Sequence, residues 1–291
     1  MSYHSYTDDT QVYQFIRPQG DWCDLSNRLE KCLSDIGDWM SANMLKLNED
    51  KTELIIFAPK HQLKHLSDFR LAFDGTVLSD VSCVKNLGMY FDKTISMENQ
   101  ACTITKACFY QIRNIGRIRS LISVEACKTL VCSLVTSRLD YGNALLYGTN
   151  TNIISKLQRV QNTAARLITR KRKFDSITPV LISLHCLPIH YRCQYKLLLY
   201  VYKAQHCNAP SYLQDLITPY KPSRSLRSEN CMLLHPPNDV RTKSYGERRF
   251  DKTAPTLWNS LPSSLRSVNS LCVFKKQLKT HLFRTAFKDF L

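Results

Sequence analysis

The fold that this sequence predicts follows from one stretch near its start, Tyr6-Thr7-Asp8-Asp9-Thr10-Gln11-Val12-Tyr13. Short runs that alternate aromatic or β-branched with polar residues flank two aspartates, which predicts a tight β-hairpin with the acids at or beside its turn. Because side chains alternate along a strand, neighbouring carboxylates converge on one site only where a turn breaks the alternation. Such oxygen ligands suit Mg²⁺ or Mn²⁺. A solvated acidic turn is the alternative, since Asp favours turns for its own hydrogen bonds.

Two later stretches extend the pattern. The first ends in Asn48-Glu49-Asp50-Lys51-Thr52-Glu53 and leads into the apolar run Leu54-Ile55-Ile56-Phe57. The second is Val84-Lys85-Asn86-Leu87-Gly88-Met89-Tyr90-Phe91-Asp92. In this order and at these separations, the three stretches resemble the later palm motifs of a LINE-type, non-LTR retrotransposon reverse transcriptase, Jockey-like in kind. The family more often has Ala where this chain has Thr7.

The resemblance implies an RNA-directed DNA polymerase that transfers nucleotides with two metal ions, Mg²⁺ or Mn²⁺, on an RNA template and a DNA primer. Asp8 and Asp9 would be the catalytic metal ligands. Lys51 would protonate the leaving pyrophosphate as a general acid, and a solvated Lys at the start of a strand is the alternative. Lys85 would contact nucleic acid in the primer grip.

Polymerisation by two metals needs carboxylates on both sides of the reacting phosphoryl group. In the resembled family a strand upstream of the hairpin supplies a further Asp, and upstream fingers bind the nucleotide. Because Asp8 lies so close to the start of this sequence, we expect a C-terminal fragment that is inactive alone and binds Mg²⁺ or Mn²⁺ weakly. The alternative from another class is a non-catalytic, basic, helical remnant that binds nucleic acid.

The charge is distributed unevenly along the chain. Residues 1–100 contain 10 Lys and Arg against 15 Asp and Glu, whereas residues 101–291 contain 30 against 9. The excess of positive charge in the second part predicts contacts with phosphates, although a basic surface also serves solubility alone. The basic residues that we expect to bind nucleic acid there are Arg113, Arg117, Arg119, Arg170, Lys171, Arg172 and Lys173.

Several classes of protein are disfavoured. No apolar run approaches the ~20 residues that cross a bilayer, and the polar N-terminus lacks a secretory leader, so we expect an intracellular protein without a membrane partner.

The 12 cysteines are scattered and form no disulfide framework. A cluster of His185-Cys186, His190, Cys193 and His206-Cys207 raises the question of zinc, but no pair has C-x2-C spacing, and we expect free thiols. The oligomeric state is left open.

The expected fold class is α+β. Residues 1–95 are predicted to form part of a polymerase palm, a short antiparallel sheet with one packed helix. The helix follows from an apolar stripe between Leu25 and Met40, with Asp21 or Asp24 as its cap. The predicted strands cover residues 52–57, 71–73, 76–78 and 83–91.

From residue 96 the hydrophobic period becomes helical. Residues 96–180 are predicted to form a thumb-like helical region, and residues 181–218 a further helical region. Tyr195 and Tyr202 on its long helix could stack on bases, but at helical spacing we expect them in the core. Residues 219–246 read as an exposed linker, and residues 247–291 as a tail with a terminal helix.

Overall fold

The computed structural model describes residues 1–15, 17, 20–64, 69–73, 75–221, 232–237 and 246–290. Helices combine with small antiparallel sheets, which confirms the α+β class. The chain divides into two compact units. The first unit contains Met1–Lys85 and Asp92–Thr94, and the second contains Asn86–Phe91 and Ile95–Leu291.

The first unit begins with the predicted hairpin. Strand β1, Ser2–Tyr6, pairs antiparallel with β2, Asp9–Tyr13. Helix α1, Trp22–Ala42, follows, and its N-cap Asp21 accepts a hydrogen bond from the Asp24 backbone N–H at 2.9 Å. This bond settles which of the two aspartates caps the helix.

A second hairpin packs on α1. A one-turn helix α2, Lys60–Leu63, precedes strands β3, Arg70–Phe73, and β4, Thr76–Ser79, which pair antiparallel. The Glu30 carboxylate of α1 accepts from the Ala72 backbone N–H at 2.8 Å. Leu25, Leu71 and Phe73 are buried. The expected helix and hairpin elements are therefore present, but the described strands form separate two-stranded sheets and no common sheet.

Two predicted strands differ from the structure. Residues 52–57 form no strand, and only an isolated parallel bridge joins Leu54 to Asp80. Residues 83–91 divide into two short strands, β5, Cys83–Asn86, and β6, Met89–Asp92, which form a third two-stranded sheet. Leu87 and Gly88 both have positive φ, 45° and 79°, as a tight primed turn requires.

A buried aspartate holds the segment that lacks the strand. The Asp80 side chain is 3% exposed, forms an ion pair with Lys93, and accepts from the Ile56 backbone N–H at 2.9 Å. The Val81 N–H donates to the Leu54 carbonyl, and the Ala58 N–H donates to the Lys93 carbonyl. Side-chain and loop bonds therefore replace the strand ladder that the apolar run Leu54–Phe57 predicts.

The second unit is mainly helical in its described part. Its first six helices are α3, Glu98–Ile118; α4, Val124–Val131; α5, Ser137–Asp140; α6, Thr151–Thr169; α7, Thr178–Ser183; and α8, Ile189–Gln205. The others are α9, Ser211–Gln214; α10, Phe250–Asn259; α11, Ser263–Arg266; and α12, Leu271–Ala286. A π-helical turn, Cys132–Thr136, separates α4 from α5.

Helices α3 and α6 run parallel, side by side. At their beginnings Lys156 Nζ lies 3.1 Å from Glu98 Oε1. At their ends Arg119 contacts the carbonyls of Leu167 and Ile168. Their facing stripes are buried, with Ile104, Cys108, Ile112 and Ile115 from α3 and Leu157, Val160 and Ala164 from α6. The ends of both helices therefore lie at one end of the bundle.

A second core joins α8, α10 and α12. Tyr202 stacks on Phe274 with ring centroids 4.2 Å apart, and Trp258 is fully buried beside them. The expectation that Tyr202 belongs to the core is confirmed. Within the expected linker, Leu234 is 2% exposed and exchanges hydrogen bonds with the Asn259 side chain. In this part of the expected linker Leu234 is therefore buried, whereas Met232 and His235 are exposed, and residues 222–231 and 238–245 lie outside the described residues.

None of the helices in the described ranges is long and apolar enough to cross a membrane.

Candidate metal site and nucleic-acid interface

The aspartates occupy the turn of the β1–β2 hairpin. Tyr6 pairs with Asp9, so Thr7 and Asp8 form the two-residue turn and Asp9 begins β2. Thr7 has φ of 53°, a left-handed conformation that a β-branched residue rarely adopts. Its hydroxyl donates to Asp8 Oδ1 at 2.8 Å. The turn thus breaks the strand alternation at the acidic pair, as the sequence predicts.

Three local effects favour the ionised form of Asp8. The Thr7 hydroxyl, the Asp8 backbone N–H and the positive charge of Lys51 together hold the pKa of the Asp8 carboxyl below its ordinary value of 3.8. The hydrogen bond from Thr7 contributes most. Because the side chain is fully exposed, Asp8 is an anion that solvent and ions can reach.

Lys51 is the predicted catalytic residue that the fold brings towards Asp8. It ends a 3-10 helix, Glu49–Lys51, and is exposed. The two residues are 43 positions apart in sequence, and the charge of Lys51 nevertheless acts on Asp8. Lys85 is exposed on β5.

The hairpin fits a divalent cation only partly. Asp8 and Asp9 offer the hard oxygen donors that Mg²⁺ and Mn²⁺ prefer, but one oxygen of Asp8 already accepts from Thr7. Among the residues that the structure describes, no group of three or more His, Cys, Asp or Glu side chains is placed to hold a metal ion. This finding covers the hairpin and also the His and Cys cluster of residues 185–207.

Arg119, which the sequence predicted to contact nucleic acid, is buried in the structure. Its side chain is 7% exposed, and the guanidinium donates to the carbonyls of Leu167 at 2.9 Å, Ile168 at 2.8 Å and Ile122 at 3.1 Å. Two of these carbonyls end α6, so Arg119 caps that helix and also opposes its dipole. The sequence carried the signal, since Arg119 follows Ile112 and Ile115 at steps of three and four residues on the buried stripe of α3.

The other basic residues of the prediction gather at the common end of α3 and α6. Arg170, in a left-handed conformation just after α6, donates from its guanidinium to the Arg119 carbonyl at 3.1 Å. This bond holds the segment after α6 against the end of α3. We call the exposed residues there the basic end: Arg113, Arg117, Arg170, Lys171, Arg172 and Lys173.

Few acids lie in the segments that build the basic end. Residues 99–124 and 141–174 contain neither Asp nor Glu. The single acid of α3 is Glu98, which pairs with Lys156 at the opposite end of the helix. Asp175 accepts from the Arg172 backbone N–H at 2.8 Å and so orders the segment. The basic end therefore carries concentrated positive charge, which also stabilises two helix C-termini.

Comparison with known proteins gives no match, whether with models of protein families, with curated proteins or with solved structures.

Proposed function

We propose that the second unit binds nucleic acid through its phosphates at the basic end. The observation that carries the proposal is the gathering of six exposed cations where two parallel helices terminate. Neutralising phosphates releases condensed counterions, so each contact adds affinity without reading sequence. The resemblance to reverse transcriptases points the same way, because it implies an RNA template and a DNA primer as partners.

Stabilisation of the helix termini alone does not account for all six cations. Arg119 and Arg170 already contact carbonyls or backbone at the ends of α3 and α6. Arg113 and Arg117 lie on the solvent side of α3. Arg113 donates from Nε to the Phe109 carbonyl at 3.4 Å, and the residue is exposed. Such charges are positioned for a polyanion.

Fluorescence anisotropy with the whole chain and a labelled RNA–DNA duplex tests this proposal across a salt series. Removing two phosphate contacts with Arg113→Gln and Arg117→Gln should flatten the slope of log affinity against log salt by about two units. The matched control removes two exposed lysines of α12, with Lys275→Gln and Lys276→Gln, and should leave the slope nearly unchanged. Binding that ignores salt, or equal flattening by the control pair, would overturn the assignment to the basic end.

We also propose, as an enzymatic candidate, that the first unit contributes part of the catalytic centre of an RNA-directed DNA polymerase. The observation in its favour is the acidic hairpin, in which Asp8 lies in the turn and Asp9 begins β2. Asp8 and Asp9 would hold a divalent ion, which supplies Lewis-acid stabilisation of the transferring phosphoryl group. Two carboxylates support only weak, largely hydrated binding, so we propose that catalysis needs further carboxylates.

Paramagnetic broadening by Mn²⁺ in NMR spectra of the whole chain tests the metal part of this candidate. Broadening should begin at Thr7 to Thr10 at high metal concentration, and Asp8→Asn should abolish it. Asp35→Asn, on the exposed side of α1, serves as the control. Uniform broadening at every exposed acid would overturn the site. In any preparation that adds nucleotides, Lys51→Leu should slow the single-turnover rate and preserve primer binding.

A further inference from the structure

We propose that the basic end binds single-stranded nucleic acid and that two exposed rings, Tyr110 and Phe174, stack on its bases. The inference rests on the proposed nucleic-acid binding and names the form of the nucleic acid. It follows from the positions of these two aromatic side chains, each of which lies beside basic residues, Tyr110 on α3 and Phe174 after α6.

The first place is a stripe on the outer side of α3, formed by Lys106, Tyr110, Arg113 and Arg117, all exposed. We call it the α3 stripe. At 3.6 residues per turn the four positions fall within an arc of about 60°, and they extend over about 16 Å of the helix. Tyr110 is 58% exposed and has a cation one turn away on each side along the helix. An aromatic ring between phosphate-binding cations is the arrangement that single-strand binding uses.

The second place is the residue that ends the basic segment after α6. Phe174 is 93% exposed and directly follows Arg170-Lys171-Arg172-Lys173. Lys173 Nζ lies 5.9 Å from the centre of its ring, a cation–π contact that holds charge against the aromatic face. Burial of Phe174 in a core would be the ordinary outcome for such a side chain, and here the ring lies in solvent instead.

The need for bases that can stack on the two rings favours a single strand over a duplex as the bound nucleic acid. In a duplex the bases already stack on each other and offer phosphates and groove edges, whereas an unpaired strand exposes base faces to aromatic rings. Cations spaced by single helical turns can follow one backbone. The two rings would gain nothing from a duplex, so they predict a preference for the unpaired strand of either RNA or DNA.

An anionic membrane is a different partner that a basic and aromatic surface could attract. Membrane binding by a surface helix grows with the apolar area that enters the lipid. The α3 stripe offers one ring among three cations, with polar Asn99 and Thr103 continuing it towards the start of α3. This composition favours a nucleic-acid strand over a lipid surface.

The test compares three labelled probes of equal length by anisotropy with the whole chain: oligothymidylate, oligouridylate and an RNA–DNA duplex. Tyr110→Leu and Phe174→Leu should each weaken single-strand binding about fivefold or more, because stacking on a base is lost. Both should leave duplex affinity and every salt slope unchanged, since the phosphate contacts remain. Tyr212→Leu is the matched control, because Tyr212 is 56% exposed and lies on α9. Circular dichroism confirms that each variant is folded.

Each result separates the two proposals. Salt-dependent binding of all probes with no effect of the Tyr110 and Phe174 variants would overturn the single-strand inference and leave the phosphate proposal standing. Equal losses on duplex and single strand, or an equal loss with the Tyr212 control, would also overturn the inference. Tighter binding to phosphatidylserine vesicles than to any oligonucleotide would replace it with a lipid surface. No salt-dependent binding to any probe would refute the proposed function itself. The thymidylate and uridylate arms distinguish DNA from RNA.

Discussion

Arg119 Nε donates to the Leu167 carbonyl at 2.9 Å, across 48 residues of sequence. The same guanidinium donates to the Ile168 and Ile122 carbonyls, so one side chain joins the end of α3, the end of α6 and the residues just before α4. Two residues earlier, Arg117 lies in solvent. Arg119 is therefore a buried structural residue, whereas Arg117 is one of the residues that we propose bind phosphates, and the two roles can be tested apart.

Arg119→Met should lower the free energy of unfolding by about 3 kcal/mol, because buried carbonyls lose a charged hydrogen-bond donor. Arg117→Met, at an exposed position, should change it by less than about 0.5 kcal/mol. Urea unfolding followed by circular dichroism measures both. In the salt series Arg117→Met should flatten the slope and Arg119→Met should not. A stable Arg119→Met protein with a flattened slope would restore Arg119 to the nucleic-acid interface.

The Asp8 carboxyl should titrate below 3.8 in an NMR pH titration, because the Thr7 hydroxyl and the Lys51 charge favour its ionised form. Thr7→Ala should raise the pKa of Asp8 more than Lys51→Met does, since the hydrogen bond is the larger cause. Because the pKa of Asp8 is lower in the folded state, its ionisation stabilises the hairpin at any pH above the unfolded-state pKa. This stabilisation is lost as the pH falls through the folded-state pKa. A Lys51→Met protein in which the Asp8 pKa is unchanged would remove Lys51 from the candidate site.

Burial raises the pKa of the Cys108 thiol to about 11 and that of Cys193 to about 12. Both thiols should therefore resist iodoacetamide at neutral pH, while the exposed Cys23, Cys132, Cys207 and Cys272 should react. Mass spectrometry of the alkylated chain checks this pattern. Rapid labelling of Cys193 without unfolding would contradict the buried core between α8 and its neighbours.

The same two thiols predict how stability changes in alkali. A thiol whose folded pKa lies above its unfolded value of 9.0 contributes stability below pH 9, and this contribution is lost as pH rises towards the folded value. Cys193→Ala should therefore reduce the loss of stability between pH 9 and pH 11, measured by urea unfolding. An identical loss in the variant would show that Cys193 titrates alike in both states.

Gly142→Ala should destabilise the second unit by about 2 kcal/mol. Gly142 has φ of 61°, and an added Cβ would lie 2.6 Å from Sδ of the buried Met89. Gly116→Ala is the matched control, because Gly116 lies on α3 and its Cβ would meet only Leu167 Cδ1 at 3.9 Å. The control should stabilise the helix by up to about 1 kcal/mol. Thermal unfolding compares the two, and equal shifts would contradict the left-handed turn at Gly142.

Local chemistry made several elements predictable. The Asp21 cap and the apolar stripe of α1, the helical period of α3 and α6, and the turn at Asp8 all depend on residues within a few positions of each other. Arg119 was predicted from its charge to lie on the surface, although its spacing of four residues from Ile115 matches the buried stripe. Charge and periodicity conflicted there, and periodicity was the better guide.

The tertiary structure decided what depends on distant partners. The apolar run Leu54–Phe57 has the composition of a strand, yet its backbone bonds are with the Asp80 side chain and the Val81 N–H, and the next residue, Ala58, donates to the Lys93 carbonyl. No local pattern identifies these partners. Likewise the sequence by itself determined that Arg113, Arg117 and Arg170 to Lys173 are basic and lie in segments with few acids. Only the parallel packing of α3 and α6 brought these residues together at one end of the bundle. The helical period determines on which face of a helix a side chain lies, whereas long-range contacts determine which helix ends lie together.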